Sequence, residues 1–239
     1  MDIYQLLILQ IIAHFISDFT FQPERMANDK NNLGFASKLL KWHILITFIT
    51  AWLFSFQINF VFGAFTIAIF HWIEDGIKKY IKGNNTIGRY SFFIDQTIHL
   101  IIIISVVLLY SKYFQLNPIF TITLSVKSVM IIGCYIFSAK PSNIIIKETF
   151  TAFNIQASSS GNDDLPNAGK LIGIIERFLV LTFVILNQYE AVGFLIAAKS
   201  ILRFKDDNTI KTEYVLIGTM LSFGIAIALG IFINSLNLK

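Results

Sequence analysis

The sequence predicts an all-α, polytopic membrane protein, and three observations lead there. Of its 239 residues 55% are hydrophobic and only 14% charged, with a mean hydropathy of +0.65, whereas a soluble domain carries roughly a quarter charged residues. Apolar runs recur along the whole chain, several reaching the ~20 residues that a bilayer-spanning helix needs. The basic residues gather in alternate connections, the pattern that orients helical membrane proteins.

The runs fall at about 3–21, 40–56, 58–75, 93–111, 119–139, 170–186, 190–204 and 214–234, which gives an expectation of about eight spans. The second, third, sixth and seventh are at the short limit; the seventh has the length of a re-entrant segment, and the second and third that of a short hairpin. The opening MDIYQLLILQ lacks the basic start and small-residue cleavage site of a secretory signal, so it reads as a retained first span. With the N-terminus outside, the inside connections hold Arg25, Lys30 and Lys38, then Lys78, Lys79, Lys82 and Arg89, then Lys140 and Lys147, then Lys205 and Lys211. Outside connections hold little beyond Lys112. The expectation is a multi-pass protein of a bacterial inner membrane with both termini outside. The net charge of +4 then sets orientation, and its partner is the lipid bilayer with no nucleic acid.

Two halves follow, 1–115 and 116–239, in one integral membrane unit. The long inside connection at about 140–169 contains NIIIKETFTAF, spaced like a short amphipathic helix after Pro141, and then the polar loop ASSSGNDDLPNAG. The single cysteine, Cys134, sits in the apolar run MIIGCYIF and reads as a buried structural thiol. There is no internal repeat and no Gly-rich phosphate loop.

All four histidines lie in the first hundred residues, one on each of the first four runs: His14, His43, His71 and His99. Three have an aspartate four positions away, in HFISD (Asp18), HWIED (Asp75) and DQTIH (Asp95). On a helix such pairs share a face. The first and third runs descend toward the inside and the fourth ascends, so the reversal from HxxxD to DxxxH keeps one layer of imidazoles and one of carboxylates. His43 starts the second run at a similar level. An ionisable group within hydrocarbon costs on the order of 2.5–3.5 kcal/mol on insertion scales, so this many together need partners, water or a metal.

Histidine with aspartate is the ligand set of zinc and, with more oxygen, of manganese or iron. The expected cofactor is a divalent metal, zinc first, held among His14, Asp18, His43, His71, Asp75, Asp95 and His99, with a free carboxylate among Asp18, Asp75 and Asp95 as general base. Gln22 and Gln96 flank the motifs and would hydrogen-bond the ligands. Glu74 stands about 100° around the helix from Asp75, so the two are not expected to face one pocket. In the second half, Glu176 and Arg177 in LIGIIERF and Lys199 and Arg203 in AAKSILRF, together with Lys78, would receive an anionic group of the substrate. The alternative for Glu176 is an ion pair with Lys199 or Arg203 that ties two helices.

The motifs HFISDFTFQ, HWIEDGIK, DQTIH, IGIIER and AAKSILRF resemble those of a family of small bacterial polytopic membrane proteins of unknown function, over nearly the whole chain. The His/Asp character is also similar to that of bacterial membrane-bound metal-dependent hydrolases, a likeness that implies metal more than hydrolysis. The leading expectation is therefore a membrane-embedded metal-dependent hydrolase acting at the cytoplasmic leaflet on an amphipathic, phosphate-bearing small molecule. The alternatives are a transporter or channel using the cluster as its ion site, and a structural subunit whose cluster only holds helices together.

Overall fold

The structure, a computed structural model, describes residues 1–84, 87–120, 124–155, 168–203 and 209–236, with side chains described at all of these except 202–203 and 209–211. Among the described residues every regular element is helical. The chain divides into two compact units, Met1–Gly133 and Cys134–Lys239.

The first unit is built on four long helices, α1 (Ile3–Phe15), α3 (Lys38–Ser55), α4 (Val61–Lys82) and α5 (Ser91–Tyr113), with the short polar α2 (Glu24–Leu33) between the first two. Helix α1 packs on α3 and α5, and α4 packs on the same two, which closes a ring of four. Asp2 starts α1 with a reciprocal cap, its carboxylate accepting from Gln5 N at 2.7 Å while Gln5 Oε1 accepts from Asp2 N at 3.0 Å. The last turn of this segment, Ile16–Thr20, winds as π-helix, with Phe21 N donating to Ile16 O at 2.9 Å. Such π turns interrupt regular helices most often at functional sites. This one carries Asp18.

Each of the four helices carries one histidine. On one side of the histidine layer lies an apolar core of Leu6, Ala51, Phe60, Ala64, Ile67, Ile103, Val106, Val107 and Tyr110. These residues stand four to eleven positions from their own helix's histidine, or about 6–17 Å along the axes. The bundle is thus polar toward one end and packed solid toward the other.

Helix α2 seals the polar end by lying against α3 and α4. Its corner depends on two glycines. Gly34 has φ +57°, and a Cβ there would stand 2.7 Å from Gly76 O; a Cβ on Gly76 would meet the Phe35 ring at 2.1 Å. Only hydrogen at both positions permits this approach. Ser37 caps α3, accepting from Leu40 N at 3.0 Å and donating to Asp29. The axes of the α2 segment and α3 meet at 107°.

The remaining helices are α6 (Val126–Ser138), α7 (Lys140–Ala152), α8 (Ala168–Ile185), α9 (Tyr189–Arg203) and α10 (Thr209–Ser235). The expected amphipathic helix after Pro141 is α7, with Pro141 in its first turn and α6 bent 47° from it. In the second unit α8 packs on α7, α9 and α10. The polar loop expected at ASSSGNDDLPNAG lies almost wholly outside the described residues.

Among the described residues four helices are long and apolar enough to cross a membrane: Ile3–Thr20, Ile58–Lys82, Gly88–Tyr113 and Thr212–Ser235. Counting the bent pairs Glu24–Ala36 with Lys38–Ser55 and Val126–Ser138 with Lys140–Ala152 as one span each gives six. This is fewer than the eight expected. Helix α8 carries Lys170, Glu176 and Arg177 within 18 residues, and α9 has only 15 residues.

Candidate metal centre

The four ring-forming helices bring all four histidines together. Ring centroids lie 5.0 Å apart for His43 and His71, 5.2 Å for His14 and His99, 5.9 Å for His14 and His71, and 3.9 Å for the stacked pair His71 and His99. All four are buried, as are Asp18, Asp75 and Asp95.

The tightest group is His43, His71 and Asp75. The Nε2 atoms of His43 and His71 face each other at 3.0 Å, and Asp75 Oδ2 stands 3.5 and 3.4 Å from them. Oxygen and nitrogen atoms bound tetrahedrally to zinc at ~2.0–2.2 Å sit about 3.3–3.6 Å apart; the two edges to Asp75 Oδ2 have that length, and the edge between the two nitrogens is shorter at 3.0 Å. A proton shared between the two nitrogens would satisfy them and leave Asp75 Oδ2, which has no hydrogen bond, unanswered. One cation satisfies all three atoms.

Asp18 faces the same pair from α1. Its Oδ1 lies 3.6 Å from both Nε2 atoms and 3.5 Å from His14 Nδ1, while Oδ2 lies 3.9 Å from His99 Nδ1. Ser17 Oγ stands 2.9 Å from Asp18 Oδ1 and 3.0 Å from His14 O and donates to one at a time. With His14, His71 and His99, Asp18 forms a second group whose ligand atoms lie within 4.8 Å of one another.

Gln96 fixes the proton on His14. Its amide nitrogen donates to Asp95 Oδ2 at 3.2 Å, which turns Oε1 toward His14 Nε2 at 3.1 Å. Nε2 must then carry the hydrogen, and Nδ1 presents a bare lone pair to Asp18. The cavity beside it, lined by Gln10, His14, Ser17, Thr47 and Thr50, admits about one water molecule. Gln22, the other glutamine singled out from the sequence, keeps a buried Nε2 with no hydrogen bond among the described residues.

Two lysines serve the carboxylates. Lys30, from α2, donates to Asp75 Oδ1 at 2.6 Å, and Lys78 to Asp95 Oδ2 at 2.6 Å; both are buried. The sequence places Lys78 near an anionic substrate group, but here it is tied to Asp95. Lys30 went unnoticed as a site residue, because α2 reads as a polar connection.

Glu74 faces away from the His43–His71–Asp75 group, as its angle from Asp75 predicts, yet it joins the cluster by reaching His99 Nε2 with Oε2 at 3.0 Å. Helix α4 lies between α3 and α5, so it has two buried faces: Asp75 serves the face toward α3 and Glu74 the face toward α5. Within the cluster, four described carboxylates stand against two lysines, which would leave two unbalanced negative charges if all four were ionised and the histidines neutral.

In the second unit two of the cations named from the sequence, Lys199 and Arg177, find partners inside that unit. Lys199 pairs with Glu176, the tie between helices that was the alternative there. Buried Arg177 donates to the carbonyls of Ser138 and Ala139 at 2.6 and 3.2 Å, to Asn143 Oδ1 at 2.7 Å and to Ser222 Oγ at 2.9 Å. It thereby satisfies carbonyls left open at the α6–α7 break. The Arg203 side chain lies outside the described residues.

Residues 6–131 match the model of a protein family described as "Protein of unknown function (DUF3307)". The chain belongs to the DUF3307 family. The matched segment contains every histidine and every carboxylate of the cluster, while Arg177 and Lys199 fall beyond it. No curated protein and no solved structure matches the chain.

Proposed function

We propose that this DUF3307 protein is a membrane-embedded metal-dependent hydrolase, working at the cytoplasmic leaflet of a bacterial inner membrane. The observation that carries this reading is the buried triangle of His43 Nε2, His71 Nε2 and Asp75 Oδ2, with edges of 3.0, 3.5 and 3.4 Å. Three protein ligands with a position left over is the arrangement of catalytic zinc sites, and two excess negative charges are what one divalent ion neutralises. Zinc suits two imidazoles and one carboxylate; manganese and iron are the alternatives.

A divalent ion there supplies Lewis acidity and a water that ionises near neutral pH. The chain's own groups do the rest. Asp18 accepts the proton as general base, since its Oδ1 faces both ligand nitrogens and His14 Nδ1. His14, held by Gln96, stands behind it to receive the charge. Lys30 donates to Asp75 Oδ1 and fixes the carboxylate for ligation through Oδ2.

The substrate is an amphipathic molecule carrying an ester or phosphoester. Between α3 and α4, the helices bearing His43 and His71, runs an apolar groove of about 460 Å³ lined by Ile44, Leu45, Phe48, Ile69 and Trp72, with Lys41 as its one cation. An acyl chain fits such a lining and an anionic headgroup fits Lys41. Solute transport is disfavoured by the apolar core from Leu6 to Tyr110, which fills the bundle on one side of the cluster.

The test is elemental analysis of purified protein beside a His43→Ala/His71→Ala variant, then turnover of a panel of lipid and phosphate esters in detergent. Stoichiometric zinc, manganese or iron that is lost in a still-folded variant, with metal-dependent turnover, supports the reading. Absence of bound metal after reconstitution refutes it, as does ion flux in proteoliposomes without turnover in detergent.

A further inference from the structure

One group of buried polar atoms is not used by that reaction. Glu74, Asp95 and His99 offer ligand atoms within 4.8 Å of one another, on the α5 side of α4. His99 is 2% exposed, and neither of its ring nitrogens makes a hydrogen bond. Both Glu74 oxygens are likewise without one, although Oε2 stands 3.0 Å from His99 Nε2. A contact that short without an aligned hydrogen brings two lone pairs face to face, which is unfavourable unless a proton or a metal cation lies between them, and a proton there would still leave Glu74 Oε1 and Asp95 Oδ1 unanswered. Asp95 gives one oxygen to Lys78 and Gln96 and keeps Oδ1 unpartnered. Three side chains from two helices therefore direct bare lone pairs into one buried space.

We infer that Glu74, Asp95 and His99 bind a second divalent cation, so that the protein holds a two-metal centre. This rests on the first metal at His43, His71 and Asp75 and deepens it. The stacked rings of His71 and His99, 3.9 Å apart and within 8° of parallel, each lend Nε2 to a different group, so the two positions are neighbours. Asp18 stands beside the first position, with Oδ1 toward its ligand pair, and Oδ2 lies 3.9 Å from His99 Nδ1, the ring nitrogen not turned to Glu74. Two carboxylates and one imidazole make a harder donor set than that of the first position, suited to manganese as well as zinc. Paired ions would stabilise the attacking and leaving oxygens of a phosphoester displacement, so of the ester and phosphoester substrates proposed above this site favours the phosphoester.

The experiment is a titration of detergent-purified, chelator-stripped protein with Zn²⁺ and with Mn²⁺, reading bound metal per chain by elemental analysis after gel filtration. Wild type is expected to bind two ions and Glu74→Gln one, with Asp95→Asn, which keeps the shape of the side chain and removes its charge, reproducing the loss. In the Mn²⁺ form, electron paramagnetic resonance should show two coupled ions in wild type and an isolated-ion spectrum in either variant. One ion in both wild type and variants overturns the second site and leaves the first reading standing. Two ions in all three proteins overturns the assignment to these residues. No ion in any protein overturns both.

Discussion

The contact that most strongly couples the fold to the centre is Lys30 with Asp75, and a double-mutant cycle measures it. The two groups are 2.6 Å apart, with side chains 3% and 0% exposed. At an effective dielectric of ~20 their attraction is about 6 kcal/mol before desolvation is subtracted. Removing one partner strands the other charge in the bundle, which costs ~3–5 kcal/mol, whereas removing both is close to neutral. Lys30→Met and Asp75→Asn, measured separately in metal-free protein by chemical unfolding in detergent, are each expected to lose ~3–5 kcal/mol, and the double variant less than either. The metal adds a second reading. Lys30→Met removes the contact that orients Asp75 toward the histidine pair, so it should bind Zn²⁺ less tightly than wild type as well as being less stable without it. Losses that simply add in the double variant, to within ~0.5 kcal/mol, would refute the pairing and with it the role of α2 in shaping the site.

Other outcomes follow from the same geometry. Asp18→Asn should retain the first metal, because the ligand triangle is intact, but lower turnover by ~10²–10⁴-fold as expected of a lost general base; elemental analysis beside a kinetic assay separates the two. Gly34→Ala, at φ +57° and with Gly76 O 2.7 Å from the added carbon, should cost ~1–3 kcal/mol and raise hydrogen exchange across α2. Leu6→Ala, in the core beyond the histidine layer, should cost ~2–5 kcal/mol in an unfolding titration and leave metal content unchanged. Arg177→Lys keeps the charge but cannot serve four acceptors; a loss of ~3 kcal/mol or more in stability, with metal content unaltered, is the expected result.

The meeting of four histidines was legible because helical period and chain direction are both written in the sequence. HxxxD on descending helices and DxxxH on the ascending one can share a layer only if the hairpins are regular, and α1, α3, α4 and α5 are regular enough. What was hidden depends on contacts rather than spacing. Nothing in HFISDFTFQ announces a π turn, which alters where Asp18 points. The part Glu74 plays was missed because its partner His99 comes from α5, on the second packed side of α4. Lys30 was invisible since its helix is polar and held by a Gly34–Gly76 approach that no local pattern encodes. Arg177 and Lys199 looked available for substrate because their acceptors, the Ser138 and Ala139 carbonyls and Glu176, come from other helices.

The distribution of charge explains why such a site can persist in an apolar bundle. Four carboxylates unpaired among buried side chains would drive the helices apart, and four lysines would neutralise them into a structural knot with no room for chemistry. Lys30 and Lys78 each take one oxygen of a carboxylate, Asp75 Oδ1 and Asp95 Oδ2, and leave the other, Asp75 Oδ2 and Asp95 Oδ1, without a hydrogen bond. The lysines thus orient one oxygen of each pair while the second is free to ligate, as carboxylates behind metal ligands do elsewhere. A purely structural cluster would gain by pairing those oxygens too, since an unanswered buried acceptor costs ~1–3 kcal/mol. Their persistence on both the α3 and the α5 sides of α4, beside the His43–His71 nitrogen pair on one and the unpartnered His99 ring on the other, supports the reading that cations rather than further side chains answer them.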